Sequence, residues 1–108
     1  MTETNDLKRK IIEDQVKQNK VVIYMKGTPD FPQCGFSAQA VHVLKTLNVP
    51  IFSVDVLSDD PLWTALEEFT QWPTVPQIFI NGEFVGGCDI ITELHERGEL
   101  PKMAQAKP

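Results

Sequence analysis

The chain carries two thiols, Cys34 and Cys88, and the setting of the first poses a chemical question. Cys34 lies in Pro32-Gln33-Cys34-Gly35-Phe36-Ser37, where a redox pair would carry its second thiol three positions on. Ser37 stands there instead. Cys34 falls between a proline-containing loop and an expected helix, so its sulfur is expected near helix N-terminal N–H groups, whose partial positive charge lowers a thiol pKa. Lys26, at the end of an expected strand, adds a second positive influence if strand and loop fold back. A thiolate so placed is both a nucleophile and a soft metal ligand. The plainer alternative is a small, inert core residue. A hydroxyl does not exchange with a disulfide at neutral pH. Turnover at Cys34 would therefore need an outside thiol, or Cys88 if the fold brings it near.

Two further stretches could present backbone to a ligand. In Gly86-Gly87-Cys88-Asp89 the glycines permit close approach, and the N–H groups at Cys88 and Asp89 open a helix able to hold a carboxylate; a strand end followed by a capped helix is the competing reading. Thr74-Val75-Pro76 puts a proline at the expected first residue of a strand, where its missing N–H is tolerated. Phe31 and Phe36 flank the cysteine and either shield it or fill local core. Trp72 is expected to pack under its turn. His42 and His95 match no metal spacing and read as surface residues, and Glu67 with Glu68 as a solvated face.

The elements that must position these groups follow from periodicity. Leu7, Ile11, Ile12 and Val16 recur at helical spacing between Asp6 and Lys20. Val21 to Met25 is a β-branched run suited to a strand buried on both faces. Ala40, Val41, Leu44 and Leu47 form one stripe on a helix from Phe36 to Leu47, which Pro50 stops. Ile51 to Val56 alternates as a strand, and Pro61 to Thr70 reads as a helix with Asp60 as N-cap. Asn81-Gly82 between apolar runs is a type I′ hairpin signal. Asp89 is the expected N-cap of a last helix that Gly98 ends. The order α-β-α-β-α-β-β-α implies a mixed sheet with helices packed over it, the β-α-β half supplying a parallel pair.

Length and composition fit one domain over residues 1–108, with 1–5 and 101–108 expected to fray. A net charge of −5 and a pI near 4.9 argue against nucleic acid or anionic membrane as partner, since both need clustered cations. No apolar run can span a bilayer. Two cysteines cannot build a multi-bridge secreted scaffold, which favours a reducing compartment. No early stretch looks like a leader, although a presequence removed earlier would leave no trace.

Lys-Gly-Thr-Pro-Asp-Phe-Pro-Gln-Cys-Gly-Phe-Ser from Lys26, Trp-Pro-Thr-Val-Pro-Gln from Trp72, and Asn-Gly-Glu-Phe-Val-Gly-Gly-Cys-Asp-Ile from Asn81 follow one another with a spacing that resembles monothiol glutaredoxins of the CGFS type. The resemblance covers nearly the whole chain. It implies a thioredoxin fold: a mixed four-stranded sheet flanked by helices, with an extra N-terminal helix. It also implies glutathione binding and delivery of a 2Fe-2S cluster. Cys34 is then the catalytic and metal-ligating residue. The Val75-Pro76 bond is expected to be cis, with Val75 pairing its main chain to glutathione as an added strand would. Gly87, Cys88 and Asp89 would hold the γ-glutamyl end, and Lys26, Phe36 and Thr74 complete the expected binding set. Such a cluster usually takes four thiolates; Cys34 and one glutathione sulfur from each of two chains supply them, making an apo monomer and a cluster-bridged homodimer. Implied partners are a glutathione-type thiol and iron-sulfur scaffold and acceptor proteins. The chain departs from the family at Trp63 and Glu67, where basic residues commonly hold the glycine carboxylate. A polyamine-linked glutathione such as trypanothione is therefore an alternative ligand. A glutathione-dependent thiol-disulfide oxidoreductase, at most weakly active, is the alternative function, and an adaptor with a sensor cysteine the third. Single-domain length suggests the mitochondrial matrix, with the cytoplasm as alternative.

Overall fold

Val21–Met25 (β1) is buried at all five positions, and period-2 alternation sends its side chains to opposite faces of the sheet. Val21, Ile23 and Met25 enter one apolar cluster, Val22 and Tyr24 another. The computed structural model of the chain describes residues 2–105. The remaining elements are α1 (Thr2–Gln18), α2 (Gly35–Lys45), β2 (Phe52–Asp55), a 3-10 turn (Val56–Ser58), α3 (Asp60–Thr70), β3 (Gln77–Ile80), β4 (Glu83–Gly86), α4 (Cys88–Glu96) and α5 (Leu100–Gln105). The sheet order is β2-β1-β3-β4. β1 runs parallel to β2 and antiparallel to β3, and β3 pairs antiparallel with β4. Ala40, Val43 and Leu44 of α2, Ile91 of α4 and Leu100 of α5 cover one face. Ile12 and Val16 of α1 with Leu62, Ala65 and Leu66 of α3 cover the other.

The expected elements form, with corrections at their ends. α1 starts at Thr2, before the expected Asp6, and turns Ile12 and Val16 inward; Leu7, counted in the same stripe, is 62% exposed. The N-cap of α3 is Asp59 and not Asp60, its carboxylate accepting the Leu62 N–H at 3.1 Å. Gly87, and not Asp89, caps α4. α2 ends at Lys45, ahead of Pro50, with Asn48 in the left-handed region. Asn81 and Gly82 both take positive φ, as a type I′ turn requires. Where the sequence predicts fraying from residue 101 on, α5 runs to Gln105 with Leu100 and Ala104 buried. Asn81 Nδ2 donates to the Met103 carbonyl at 3.0 Å and ties that helix to the hairpin. Likewise Asn5, within the expected frayed start, donates to Glu68 Oε2 at 2.6 Å. Residues 1 and 106–108 lie outside the described residues.

Candidate functional site

Cys34 is the N-cap of α2, in extended conformation, and its own carbonyl accepts the Ala38 N–H at 3.0 Å. No side chain caps the helix there, so its first N–H groups are free to turn toward the sulfur. The Ser37 N–H draws the thiol pKa down most; partial burial opposes it, and the Phe36 N–H, the Lys26 charge and the Ser37 hydroxyl add to the lowering. This is the electropositive helix-start setting expected of a reactive cysteine.

The loop before it is held from below. Gly27 N–H donates to Asp55 Oδ1 at 2.9 Å, and Gln33 N–H to the Lys26 carbonyl at 2.9 Å. Gly27 has φ 89°, and a Cβ there would sit 2.5 Å from the Phe31 carbonyl oxygen; only glycine allows the loop to close so tightly. Ser37 is fully buried, and its Oγ accepts the Lys26 N–H at 3.2 Å. Its side chain is thus a strut between β1 and α2 as well as the absence of a second thiol.

Opposite Cys34, the loop Trp72 to Pro76 turns through a cis Val75-Pro76 bond and meets the start of α4. Between these walls lies a groove of about 400 Å³. All nine residues singled out from the sequence line it: Lys26, Cys34 and Phe36 on one side, Thr74, Val75 and Pro76 opposite, and Gly87, Cys88 and Asp89 at the end. Trp63 and Trp72 line it too. Trp72 is 42% exposed and stands 6.0 Å from the Phe84 ring, so it is groove wall and not the packing beneath a turn that the sequence suggested. Phe31 and Phe36, 74% and 64% exposed, are rim and not core. A second hollow of about 630 Å³ opens from Cys34 between α2 and α4, past Cys88, Asp89, Glu93 and Glu96.

The two thiols are unequal. Both are free. Burial pushes the Cys88 thiol pKa up, the Thr92 hydroxyl at 4.0 Å pulls it back, and the Asp89 and Cys34 charges push it further up. Among the described residues no group of three or more His, Cys, Asp and Glu could hold a metal ion, and both histidines are exposed. Lys26 Nζ sits 5.7 Å from the centre of the Trp63 ring, over its face, within the range of a cation–π contact. Glu67 is exposed and outside the groove lining.

Sequence reasoning missed three supports of this site: the Ser37 hydroxyl as acceptor, Asp55 under the cysteine loop, and Gln77 behind the Trp72 to Pro76 loop. Each is a polar residue at a strand end or helix start. The buried strand pattern around Gln77 was the sole available signal, because an amide inside an apolar run must find partners.

The sequence profile of the glutaredoxin family matches residues 21–85. Monothiol glutaredoxin-S15, mitochondrial, of Arabidopsis thaliana is 54% identical over 98 residues, 91% of this chain and 58% of its own length. Monothiol glutaredoxin-S4, mitochondrial, of Oryza sativa is 56% identical over 90 residues, 83% of this chain and 49% of its own length; the chain thus spans about half the length of these two relatives. The solution structure of reduced poplar apo GrxS14 superposes with a TM-score of 0.79 at 47% identity, covering 90% of this chain and 89% of that one. A thioredoxin-like sheet, a half-buried thiol capping the start of α2 and a serine where a second thiol would stand agree with these likenesses, and the chain belongs to the glutaredoxin family, among its monothiol members.

Proposed function

We propose that the protein binds glutathione and uses it to carry a 2Fe-2S cluster from scaffold to acceptor proteins. The observation that carries this reading is the pairing of a thiolate-favouring Cys34 with a buried, structurally engaged Ser37. With Ser37 in place of a second thiol, such a thiolate has no partner within its own turn to close a disulfide, and it remains available to an outside ligand. Cys88 is a poor substitute, since burial raises its thiol pKa and so lowers the share of attacking thiolate.

The cluster is the cargo. Iron favours thiolates, and one chain offers a single favoured thiolate; two chains with two outside thiols, the arrangement the family resemblance implies, would supply the usual four ligands. The groove suits the second pair. Val75 can offer its main chain to an extended peptide as a sheet edge does, and the N-terminal N–H groups of α4 face a carboxylate favourably. Lys26 supplies positive charge beside Cys34. The exposed rings of Phe31 and Phe36, which flank Cys34 in the chain, would limit water in a two-chain assembly.

Two ligands come into consideration, free glutathione and a polyamine-linked form. The Trp63 face already carries a cation, that of Lys26, and Glu67 stands outside the groove lining; this favours the free tripeptide. The oxidoreductase reading draws on the same Cys34 as nucleophile, with an outside thiol completing each turnover. The matrix location follows the names of the plant relatives, with the cytoplasm as alternative. Among the described residues no helix is long and apolar enough to cross a membrane.

Reconstitution of the reduced chain with iron, sulfide and glutathione tests the proposal. The expected result is a charge-transfer spectrum and a doubling of mass, both lost in Cys34→Ser and both restored to apo values by an iron chelator. Repeating it with glutathionylspermidine in competition decides the ligand. Absence of any cluster, with reduction of a glutathionylated protein retained, would give the oxidoreductase reading the field.

A further inference from the structure

Gln77 opens β3 and is fully removed from solvent. Its amide nitrogen donates to the Trp72 carbonyl at 2.9 Å and to the Thr74 carbonyl at 3.0 Å. Both acceptors belong to the loop that turns through Pro76 and presents Thr74 and Val75 to the groove. The other end of the amide, Oε1, is buried without a hydrogen-bond partner among the described residues. An unpaired buried oxygen is costly. A methionine of similar volume would fill the same space without that cost, so core filling does not account for an amide here. What the amide adds is the pair of N–H bonds to the loop. Gln77 itself does not line the groove; any influence on a ligand passes through the loop.

We propose that Gln77 is a positioning residue, which holds the Trp72 and Thr74 carbonyls from inside the core and thereby sets the Val75 main chain where an extended thiol peptide can pair with it beside Cys34. The assignment rests on the reading of the groove as a glutathione site. A loop held this way spends its ordering entropy on folding, and the ligand meets a prepared edge. Without the two bonds the ligand must order the loop itself.

The test uses reduced full-length protein and S-methylglutathione, which occupies the groove without forming a disulfide. Gln77→Glu keeps the shape and turns an oxygen toward the two carbonyls. Gln77→Met removes the donors without adding charge, and keeps the test open if the carboxylate prevents folding. Affinity is expected to fall roughly tenfold in both, in line with two lost hydrogen bonds. Alkylation of Cys34 by iodoacetamide should stay within about twofold of the parent, since the support of that sulfur comes from α2 and β1. Backbone order parameters at Thr74 and Val75 should fall while those at Ile78 to Ile80 do not. Unchanged affinity in Gln77→Met overturns the assignment. So does a parallel loss of affinity and alkylation, which would mark general damage to the site. If the parent itself fails to bind S-methylglutathione, the glutathione reading falls, and the order parameters at Thr74 and Val75 still decide whether Gln77 holds the loop.

Discussion

Ser37 does two things at once. In the sequence it is a missing thiol; in the fold its Oγ accepts the Lys26 N–H from a fully buried position. Removing that acceptor leaves a donor unpaired at the junction of β1 and α2. Ser37→Ala is therefore expected to cost about 1–2 kcal/mol of stability and, by loosening the start of α2, to slow alkylation of Cys34. Urea denaturation and iodoacetamide kinetics measure the two effects; a variant as stable as the parent would show the hydroxyl to be dispensable. Lys26 is engaged at two points as well, by its N–H to Ser37 and by its ammonium over Trp63. Its charge is thus held near Cys34 instead of ranging through solvent.

At the scale of elements, α1 and α3 pack together over one face of the sheet and are joined by Lys8 and Asp59. Lys8 Nζ lies 2.8 Å from Asp59 Oδ2, with side-chain exposures of 24% and 29%. The other carboxylate oxygen caps α3 at the Leu62 N–H. The bond from Lys8 holds the Asp59 pKa below its ordinary value; slight burial opposes this, and the Leu62 N–H assists it. A carboxyl whose folded-state pKa is depressed contributes stability that is complete above its unfolded value and lost as pH falls through the folded one. Lys8→Met is thus expected to lower stability by about 0.5–1 kcal/mol near neutrality. The gap should close as the pH drops below the ordinary carboxyl value of 3.8. Denaturant titrations across that range check the sign, and a gap that widened in acid would contradict it.

The whole molecule places all its chemistry at one end of the sheet, where the ends of β1 and β4, the loop before β3 and the starts of α2 and α4 converge. Around that end the exposed rings of Phe31 and Phe36 contribute nothing to either apolar cluster. Phe31→Ala with Phe36→Ala is accordingly expected to change folding stability by no more than about 0.5 kcal/mol. The proposed cluster-bridged pair should nonetheless dissociate or lose its charge-transfer absorption several-fold faster. Sedimentation and absorbance decay on the reconstituted protein measure this. Equal lifetimes would remove these rings from the assembly. Ile91 behaves in the opposite way: it is fully buried where α4 meets the sheet, so its loss would be felt in folding before function.

Much of this protein was already determined by local sequence. The hairpin at Asn81-Gly82, the buried run of β1 and the helical stripe of α2 are short-range patterns, and residue type alone carries them. The chemistry of Pro32 to Ser37 was legible for the same reason, since a thiol at a helix start needs only its neighbours. Helix ends were less legible. Asp59 and Asp60 are equally good caps by type, and only the reach of Lys8 across from α1 accompanies the choice of Asp59. The order of α5 was hidden because its anchors, the Asn81 amide and the apolar cluster that receives Leu100, lie far away in the chain. What the tertiary structure alone decided is the convergence of three separated stretches on one groove and the supports beneath them. Ser37, Asp55 and Gln77 are ordinary polar residues in sequence; they become specific once a backbone from another element arrives within hydrogen-bond reach.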